Sequence, residues 1–296
     1  MFVKQNNIRY NFLRLKIMKT AYNKRMLTVA FVFLISNLTS SQEFQGAAYY
    51  FSKSKMELGS WGARMSEAQK KQIAIRLKNR LEKTYVLNFN KEESVFNEED
   101  KLDAMSGATD SWGKNFSRGE QYKNVKENAL VQSQEFYGKQ FLVKDELQTI
   151  DWKMGTESKI IGQYMCFRAT ALIPTSELTW YDFSWSNLKP APEKQTDSIN
   201  DEQKELEIEM TEIEAWYTPQ IPVGHGPGEY WGLPGLILEV SAGNTTLLCS
   251  KIIMNPEDKK KIEAPDKGKE ITKSEYQKTI QGKMLEMRNN RGRRRG

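Results

Sequence analysis

The chain has 296 residues, of which 39% are hydrophobic and 28% are charged. This composition supports one sizeable hydrophobic core or two small ones, and it excludes both a multi-span membrane protein and a disordered chain. One histidine and two cysteines are too few for a multi-ligand zinc or iron–sulfur site, so we predict no metal site and no cofactor.

The N-terminal segment has the three parts of a secretory signal peptide. Two basic residues precede ten uncharged residues at 26–35, and small polar residues follow them. We predict a signal peptide over 1–41 with cleavage near Ser41–Gln42. If translation starts at Met18 or Met26, the residues before that methionine are an upstream extension. The apolar run is too short to span a bilayer, so we expect no transmembrane span in the mature chain. The alternative is a buried helix. The predicted location is periplasmic, outer-membrane-associated or secreted.

Charge is unevenly distributed along the chain. Seven of the 44 Lys and Arg residues and none of the 38 Asp and Glu residues lie in 1–41, so the rest carries one net negative charge. We predict no nucleic-acid partner, because the body lacks the basic surface that phosphate binding needs. Residues 287–296 hold five arginines and no acid, which favours a lipid, a polysaccharide or an envelope protein as partner. The alternative for this tail is a solvated, disordered terminus.

The first elements after the leader are a strand, a helix and a second β-prone segment. Residues 46–58 are typical of a strand. An S-x-x-Q capping box opens the next segment, and apolar residues recur at every fourth position from Ile73, so we predict an amphipathic helix over 66–83. Residues 85–96 are rich in β-branched and aromatic side chains and favour strands, whereas the polar residues 97–120 predict a loop.

The region from Tyr122 to Phe183 is a series of short β-prone runs with short polar separators. This spacing predicts an antiparallel meander. No helix of 10–15 residues lies between the runs, which argues against parallel β-α-β winding.

Two cysteines remain in the mature chain. An oxidising compartment and an even count permit a disulfide between Cys166 and Cys249. The alternative is two buried thiols, and the sequence leaves both open because it does not show whether the two Cβ atoms face each other.

The C-terminal half begins with a polar insertion at 187–205 and continues in strands. Apolar and acidic residues alternate from 205, and this pattern predicts a strand that runs to Tyr217. Two further strands flank Ala242-Gly243-Asn244, which is a hairpin signal. A last helix is predicted over 272–287, with one apolar stripe formed by Tyr276, Ile280, Met284 and Met287.

These elements add up to an α+β fold. We predict a curved, mostly antiparallel β-sheet packed by the N-terminal helix. The predicted domain covers 42–271, and residues 272–296 form a C-terminal helix and a basic disordered tail.

The segment 214–240 is dense in glycine and proline. Leu233-Pro234-Gly235-Leu236 predicts a type II turn with a positive φ at its glycine. A phosphate cradle is excluded because the glycine spacing is wrong and a strand follows. Three interpretations stay open: a structural loop that sets strand register, a catalytic or metal-binding role for His225, and an aromatic mouth of an apolar or sugar pocket. The residues of the last two interpretations are Trp216, Tyr217, His225, Tyr230 and Trp231.

The six-residue motif GLPGLI carries a resemblance to a known family. It consists of Gly232, Leu233, Pro234, Gly235, Leu236 and Ile237. The chain resembles the GLPGLI family of exported Bacteroidetes proteins over most of its mature length. That family has no established activity or catalytic residues, so the resemblance implies no catalytic site and a structural role for the motif. The order of elements is also similar to periplasmic lipoprotein carriers of the LolA type, which implies a half-barrel sheet, and this is an analogy of fold alone.

The function that the sequence favours is that of an exported, non-enzymatic envelope protein. It would bind or chaperone an apolar or surface-associated ligand. One alternative is a structural or interaction subunit of an envelope assembly, which would use a sheet edge or the arginine tail. The other alternative is a hydrolase or a copper-binding protein that depends on His225.

Overall fold

The computed structural model describes residues 44–55, 62, 64–99, 119–178, 180 and 209–293. The predicted signal peptide and the predicted insertion at 187–205 lie outside the described residues, as does most of the predicted loop at 97–120. The chain separates into two compact units, Met1–Phe44 and Gln45–Gly296, and the sheet belongs to the second. None of the described helices is both long enough and apolar enough to cross a membrane.

Twelve strands and three helices make up the described part of the chain. The strands are β1 Gly46–Ser54, β2 Glu82–Phe89, β3 Glu93–Glu98, β4 Gln121–Asn124, β5 Ala129–Phe136, β6 Lys139–Glu146, β7 Lys153–Ile161, β8 Tyr164–Pro174, β9 Met210–Thr218, β10 Leu236–Ala242, β11 Thr245–Met254 and β12 Lys269–Ile271. The helices are α1 Glu67–Leu81, α2 Thr175–Leu178 and α3 Lys273–Arg293.

All twelve strands form one curved sheet in the order β12-β6-β5-β4-β3-β2-β1-β11-β10-β9-β8-β7. Every neighbouring pair is antiparallel except β12 and β6, which are parallel. The predicted α+β fold with a curved, mostly antiparallel sheet is therefore confirmed.

The first strand joins two halves of this sheet. β1 pairs with β2 on one side and with β11 on the other, so Gly46 lies opposite both Phe89 and Met254. Strands β2 to β6 continue one half as a meander, and β7 to β11 form the other half. The predicted hairpin at 242–244 is confirmed, and Gly243 adopts the positive φ that its tight turn needs.

The N-terminal helix has the predicted start but less packing than expected. Ser66 and Gln69 form a reciprocal capping box, in which the Gln69 backbone N–H donates to the Ser66 hydroxyl and the Gln69 side chain accepts from the Ser66 backbone. The stripe residues Ile73 and Leu77 are only half-buried, and Ile75 is 64% exposed. Helix α1 therefore covers the sheet only loosely.

The C-terminal helix provides the better-packed cover. Tyr276, Ile280 and Met284 are buried against β5, β6 and β12, and Met287 packs at the end of this stripe, as predicted. The helix continues to Arg293, whereas the sequence predicts its end at Met287 and a disordered tail after it.

A second difference concerns the end of the predicted meander. The sequence predicts β-prone runs as far as Phe183, but the chain leaves the sheet at Pro174, and Glu177 and Leu178 lie in the helical turn α2. Trp180 then enters the core beneath α3.

Candidate functional site

Residues 219–235 connect β9 to β10 and form what we call the signature loop. The loop folds over the inner face of the sheet, which is the face that α3 also covers. Two hydrogen bonds to the backbone of Ile237 hold the loop against the sheet. The Ile237 N–H donates to the His225 carbonyl at 3.0 Å, and the Tyr50 hydroxyl donates to the Ile237 carbonyl at 2.6 Å. The apolar side chains of this region are buried, namely Ile221, Val223, Leu233, Leu236 and Ile237. The loop therefore fills the space beneath it with its own side chains.

The turn that the GLPGLI string makes differs from the predicted type II turn. Gly235 does not adopt a positive φ, and its N–H donates to the Leu233 carbonyl at 2.8 Å. The positive φ lies at Gly232, at +89°. Gly235 is required for a different reason, because a Cβ atom there would collide with the backbone carbonyl of Thr218. The motif therefore allows close approach of two chain segments.

A buried lysine holds the signature loop on the sheet. Lys123 of β4 is fully buried, and its ammonium donates to the carbonyls of Gly226, Gly228 and Tyr230 at 2.7, 2.7 and 3.1 Å. Three backbone acceptors around one cation replace the water that the ammonium loses on burial. The loop from one half of the sheet is thereby fastened to a strand of the other half.

A carboxylate extends this polar contact towards α3. Glu229 of the signature loop is buried and accepts from the Gln121 side chain at 2.6 Å and from the Trp180 indole N–H at 3.3 Å. Gln121 also donates to Gln132 at 2.9 Å. The loop is thus hydrogen-bonded directly to β4, through Gln121 to β5, and to the indole that packs beneath the C-terminal helix.

The only histidine lies inside the loop and not at a solvent-facing site. His225 is fully buried, and neither ring nitrogen has a hydrogen-bond partner among the described residues. Burial lowers the pKa of His225 from 6.5 to about 3, and the nearby Lys123 charge adds to this effect. The backbone of Asn90 partly offsets this lowering of the pKa, although it does not form a hydrogen bond with the ring. The imidazole is therefore neutral at physiological pH and has no substrate access.

The four aromatic residues that were predicted to line the opening of a pocket do not lie together. Tyr217 faces the inner side of the sheet, and Tyr230 is buried in the loop. Trp216 lies on the opposite face, where the Lys159 ammonium sits 4.2 Å from its ring centroid. Only Trp231 is half-buried at the edge of the loop.

Trp231 connects the signature loop to the segment that leaves β6. Its indole N–H donates to the Gln148 carbonyl at 2.8 Å, and its own carbonyl accepts from the Trp152 indole at 2.8 Å. These two reciprocal bonds fix the position of residues 147–152. That segment forms one wall of the cleft described next.

A polar cleft of about 370 Å³ lies between residues 145–149, α2 and the start of α3. Its wall residues are Glu146, Glu177, Trp180 and Lys273, together with Asp145, Leu147, Gln148, Thr149, Ser274 and Gln277. Its volume is within the range of small-molecule sites. We call it the α3 cleft.

The walls of the α3 cleft are held by hydrogen bonds to fixed backbone. Asp145 accepts from the Lys273 backbone N–H at 3.0 Å and from the Glu146 backbone N–H at 2.9 Å. The first of these bonds satisfies a free donor at the start of α3. The cleft is therefore a preformed feature of the fold.

The two cysteines lie as free thiols, and both are buried. Burial raises the pKa of Cys166 to about 11 and that of Cys249 to about 12. No group of three or more His, Cys, Asp and Glu side chains suited to a metal ion is found within the described part of the chain.

The residues that build this region were not evident from the sequence. Lys123 and Glu229 are charged, and charged residues are normally assigned to the surface. Lys273 opens a predicted helix, where exposure is the usual expectation. Trp180 carried the one available signal, because a tryptophan at the end of a β-prone run is commonly buried.

The comparisons with known proteins give a family without a function and a distant structural likeness. The family described as "Protein of unknown function (Porph_ging)" matches residues 152–239, which include the GLPGLI string. No curated protein matches the chain.

The solved structures that resemble the chain are distant from it. The structures of PNGF-II in the C2 and P21 space groups have TM-scores of 0.44 and 0.41 and sequence identities of 14% and 13%. The likeness covers 81% and 77% of this chain but 33% and 32% of PNGF-II, so this chain spans about a third of that protein's length. With TM-scores this low, the likeness carries no argument about function.

Proposed function

We propose that this chain is an exported, non-enzymatic binding protein that takes a small polar ligand in the α3 cleft. The observation that carries the proposal is a preformed cleft of about 370 Å³ with carboxylates, side-chain amides, hydroxyls and one ammonium on its walls. Fixed polar groups are what orient a small ligand in its site, and the walls of this cleft supply several of them.

The position of the signature loop supports this proposal. Trp231 fixes the wall at Gln148, and Glu229 holds Trp180, which lies at the base of the cleft. The loop thus acts as a brace for the site and does not contact the ligand. This role agrees with a motif in which Leu233, Gly235, Leu236 and Ile237 are buried, whereas Gly232 and Pro234 are exposed.

An apolar ligand held by the loop is less well supported. The aromatic residues proposed for its mouth point to different places, and the loop's own apolar side chains occupy the inner face. A polar molecule of the cell envelope, such as a saccharide or a lipid headgroup, suits the α3 cleft better than an acyl chain does.

A hydrolase or copper site at His225 is also poorly supported. Catalysis would need a solvent-accessible base with a pKa near the working pH, and copper would need further ligands. His225 is buried, its pKa is lowered to about 3, and the described residues hold no metal-ligand cluster.

A role in an envelope assembly has one observation in its favour. β7 is the last strand on one side of the sheet, and most of its residues are exposed, including Ile160 at 71%. An open strand edge is a site for pairing with another chain. Cross-linking from a cysteine placed at Thr156 in intact cells tests this second function, and a chain that stays monomeric and uncross-linked contradicts it.

Calorimetric titration tests the main proposal. The panel contains neutral oligosaccharides, zwitterionic dipeptides, phospholipid headgroups and a fatty acid. The blocking variant Ser274→Trp places a large ring at the exposed rim of the cleft, and Gln281→Trp is its control on an exposed position of the same helix.

We expect at least one polar compound to bind the wild type and Gln281→Trp equally and to lose binding to Ser274→Trp. Fatty-acid binding without polar binding would contradict the proposal. Polar binding that is unchanged by Ser274→Trp would contradict it as well, because the site would then lie elsewhere.

A further inference from the structure

Lys273 places a positive charge in the α3 cleft. The residue is 8% exposed, and its ammonium makes neither an ion pair nor a hydrogen bond with any described residue. Its ammonium lies over the ring of Trp180, whose centroid is 5.7 Å from Nζ. The side chain is covered along its length, whereas Nζ keeps contact with the solvent of the cleft, so an anionic group that enters the cleft can pair with it.

Two further carboxylates of the same cleft are the exposed Glu146 and the half-buried Glu177. Glu146 and Glu177 line the cleft, and neither forms an ion pair with a described residue. Asp145 differs from them because its two oxygens already accept from backbone amides. The cleft thus presents one available cation and two available anions that do not pair with one another.

We infer that the ligand of the α3 cleft is a small zwitterion, whose oxyanion pairs with Lys273 and whose ammonium pairs with Glu177 and Glu146. This inference rests on the proposed binding function and names the class of ligand for that site. A purely anionic ligand would face three carboxylates, since Asp145 keeps its charge, and a purely cationic ligand would leave the Lys273 charge unpaired. A molecule with both charges satisfies all three groups.

The size of the cleft limits the zwitterion to a small molecule. A volume of about 370 Å³ accommodates a dipeptide or a phospholipid headgroup. Both carry an ammonium and an oxyanion, the first as a carboxylate and the second as a phosphate. The two sources share one recognition chemistry and differ in the shape of the anion.

The experiment measures dissociation constants by calorimetry for four probes. They are alanyl-alanine, its C-terminal amide, its N-acetyl form and phosphoethanolamine. The proteins are the wild type, Lys273→Met, Glu177→Gln and the control Lys278→Met, which removes an exposed lysine of the same helix.

The reference probe is the zwitterion that binds the wild type more tightly, either alanyl-alanine or phosphoethanolamine. We expect the amide and the N-acetyl form to bind the wild type roughly ten- to hundred-fold more weakly than this reference. Lys273→Met should weaken the better zwitterion by a similar factor and remove its advantage over the amide. Glu177→Gln should remove its advantage over the N-acetyl form. Lys278→Met should change neither, and all four proteins must show the same unfolding midpoint to within a few degrees.

The outcomes separate the ligand class from the binding function. If a neutral oligosaccharide binds and Ser274→Trp blocks it, while no zwitterion binds, the zwitterion inference is overturned and the proposed function stands. If no polar compound binds at the cleft, both are overturned. If both charge advantages persist in Lys273→Met and Glu177→Gln, the zwitterion is recognised elsewhere and the inference is overturned. The ratio of alanyl-alanine to phosphoethanolamine affinity identifies which source the cleft prefers.

Discussion

Two lysines on the same side of the sheet differ in the partners of their ammonium groups. Lys123 is fully buried, and three loop carbonyls surround its ammonium. Lys273 is 8% exposed, and its ammonium lies over an aromatic ring without an ion pair or hydrogen bond to a described residue. Trp180 lies between the two regions, since its indole donates to Glu229 and its ring faces Lys273.

This difference separates a structural charge from a charge that is available to a ligand. A cation whose donors all have partners stabilises the fold and has no capacity left for binding. A cation whose ammonium still reaches solvent keeps its capacity to pair with a ligand. The comparison therefore indicates where to look for function in a chain whose motif is structural.

The largest expected effect is at Lys123. The variant Lys123→Met should lower the free energy of unfolding by about 3–5 kcal/mol, because three buried carbonyls lose their common donor. Urea denaturation measures this effect. Lys126→Met, on the exposed lysine of the turn after β4, should change the free energy by less than about 0.5 kcal/mol.

The same measurement on Lys273→Met sharpens the comparison. Without ligand, this variant should stay within about 1 kcal/mol of the wild type, since it removes only a weak contact with an aromatic ring. A loss as large as that of Lys123→Met would mean that Lys273 is a second structural cation, and the contrast between the two regions would fail.

The next effect is expected at the close approach in the signature loop. Gly235→Ala should destabilise the protein by about 1–3 kcal/mol, because the added methyl group collides with the Thr218 carbonyl. Gly282→Ala is the matched control, since this glycine lies within α3 with open space around it. It should stabilise the protein by up to about 1 kcal/mol, because alanine favours a helix. Effects of the same sign at both positions would contradict this explanation of the motif.

The pH dependence of stability tests the burial of His225. The folded protein keeps this imidazole neutral down to a pKa of about 3, whereas the unfolded chain takes up its proton near pH 6.5. The stabilisation is therefore complete above pH 6.5 and decreases as the pH falls towards 3. We expect a loss of about 1–2 kcal/mol between pH 6.5 and 5, measured by urea denaturation.

His225→Phe is the control for that pH dependence. It should match the wild type to within about 1 kcal/mol at pH 8 and lack the loss between pH 6.5 and 5, since the chain has one histidine. Equal slopes in both proteins would show that His225 is exposed or that another group titrates.

The smallest effect concerns the thiols. Because burial raises the pKa values of Cys166 and Cys249, both should react slowly with a thiol reagent at pH 8 in the native protein. In urea, two thiols per chain should react rapidly. No reaction in urea without a reductant would instead show the disulfide that the sequence permits.

The elements that are periodic in sequence were the most predictable. The capping box at Ser66, the apolar stripe of α3 and the turn at Gly243 all follow from local spacing. The α+β fold followed from the many short strands. Each of these features is decided by neighbours in the chain.

The candidate site was much less predictable, because it depends on contacts between distant segments. Lys123 meets carbonyls that follow it by about a hundred residues, and no local pattern marks a lysine for such a place. The prediction of a type II turn at Gly235 was wrong for a similar reason, because the constraint on this glycine comes from Thr218 of the neighbouring strand. His225 was evident as a single residue, but its burial was not.

The place of β1 has a consequence for how the polypeptide acquires its structure. This strand lies in the middle of the sheet, and its register opposite β11 cannot form until the chain has been made through Met254. Joining the ends of so long a loop delays the closing step, so we expect slow folding for this topology. Until then the two half-sheets each expose an open edge, and a growing or translocating polypeptide would need protection from self-association during that interval.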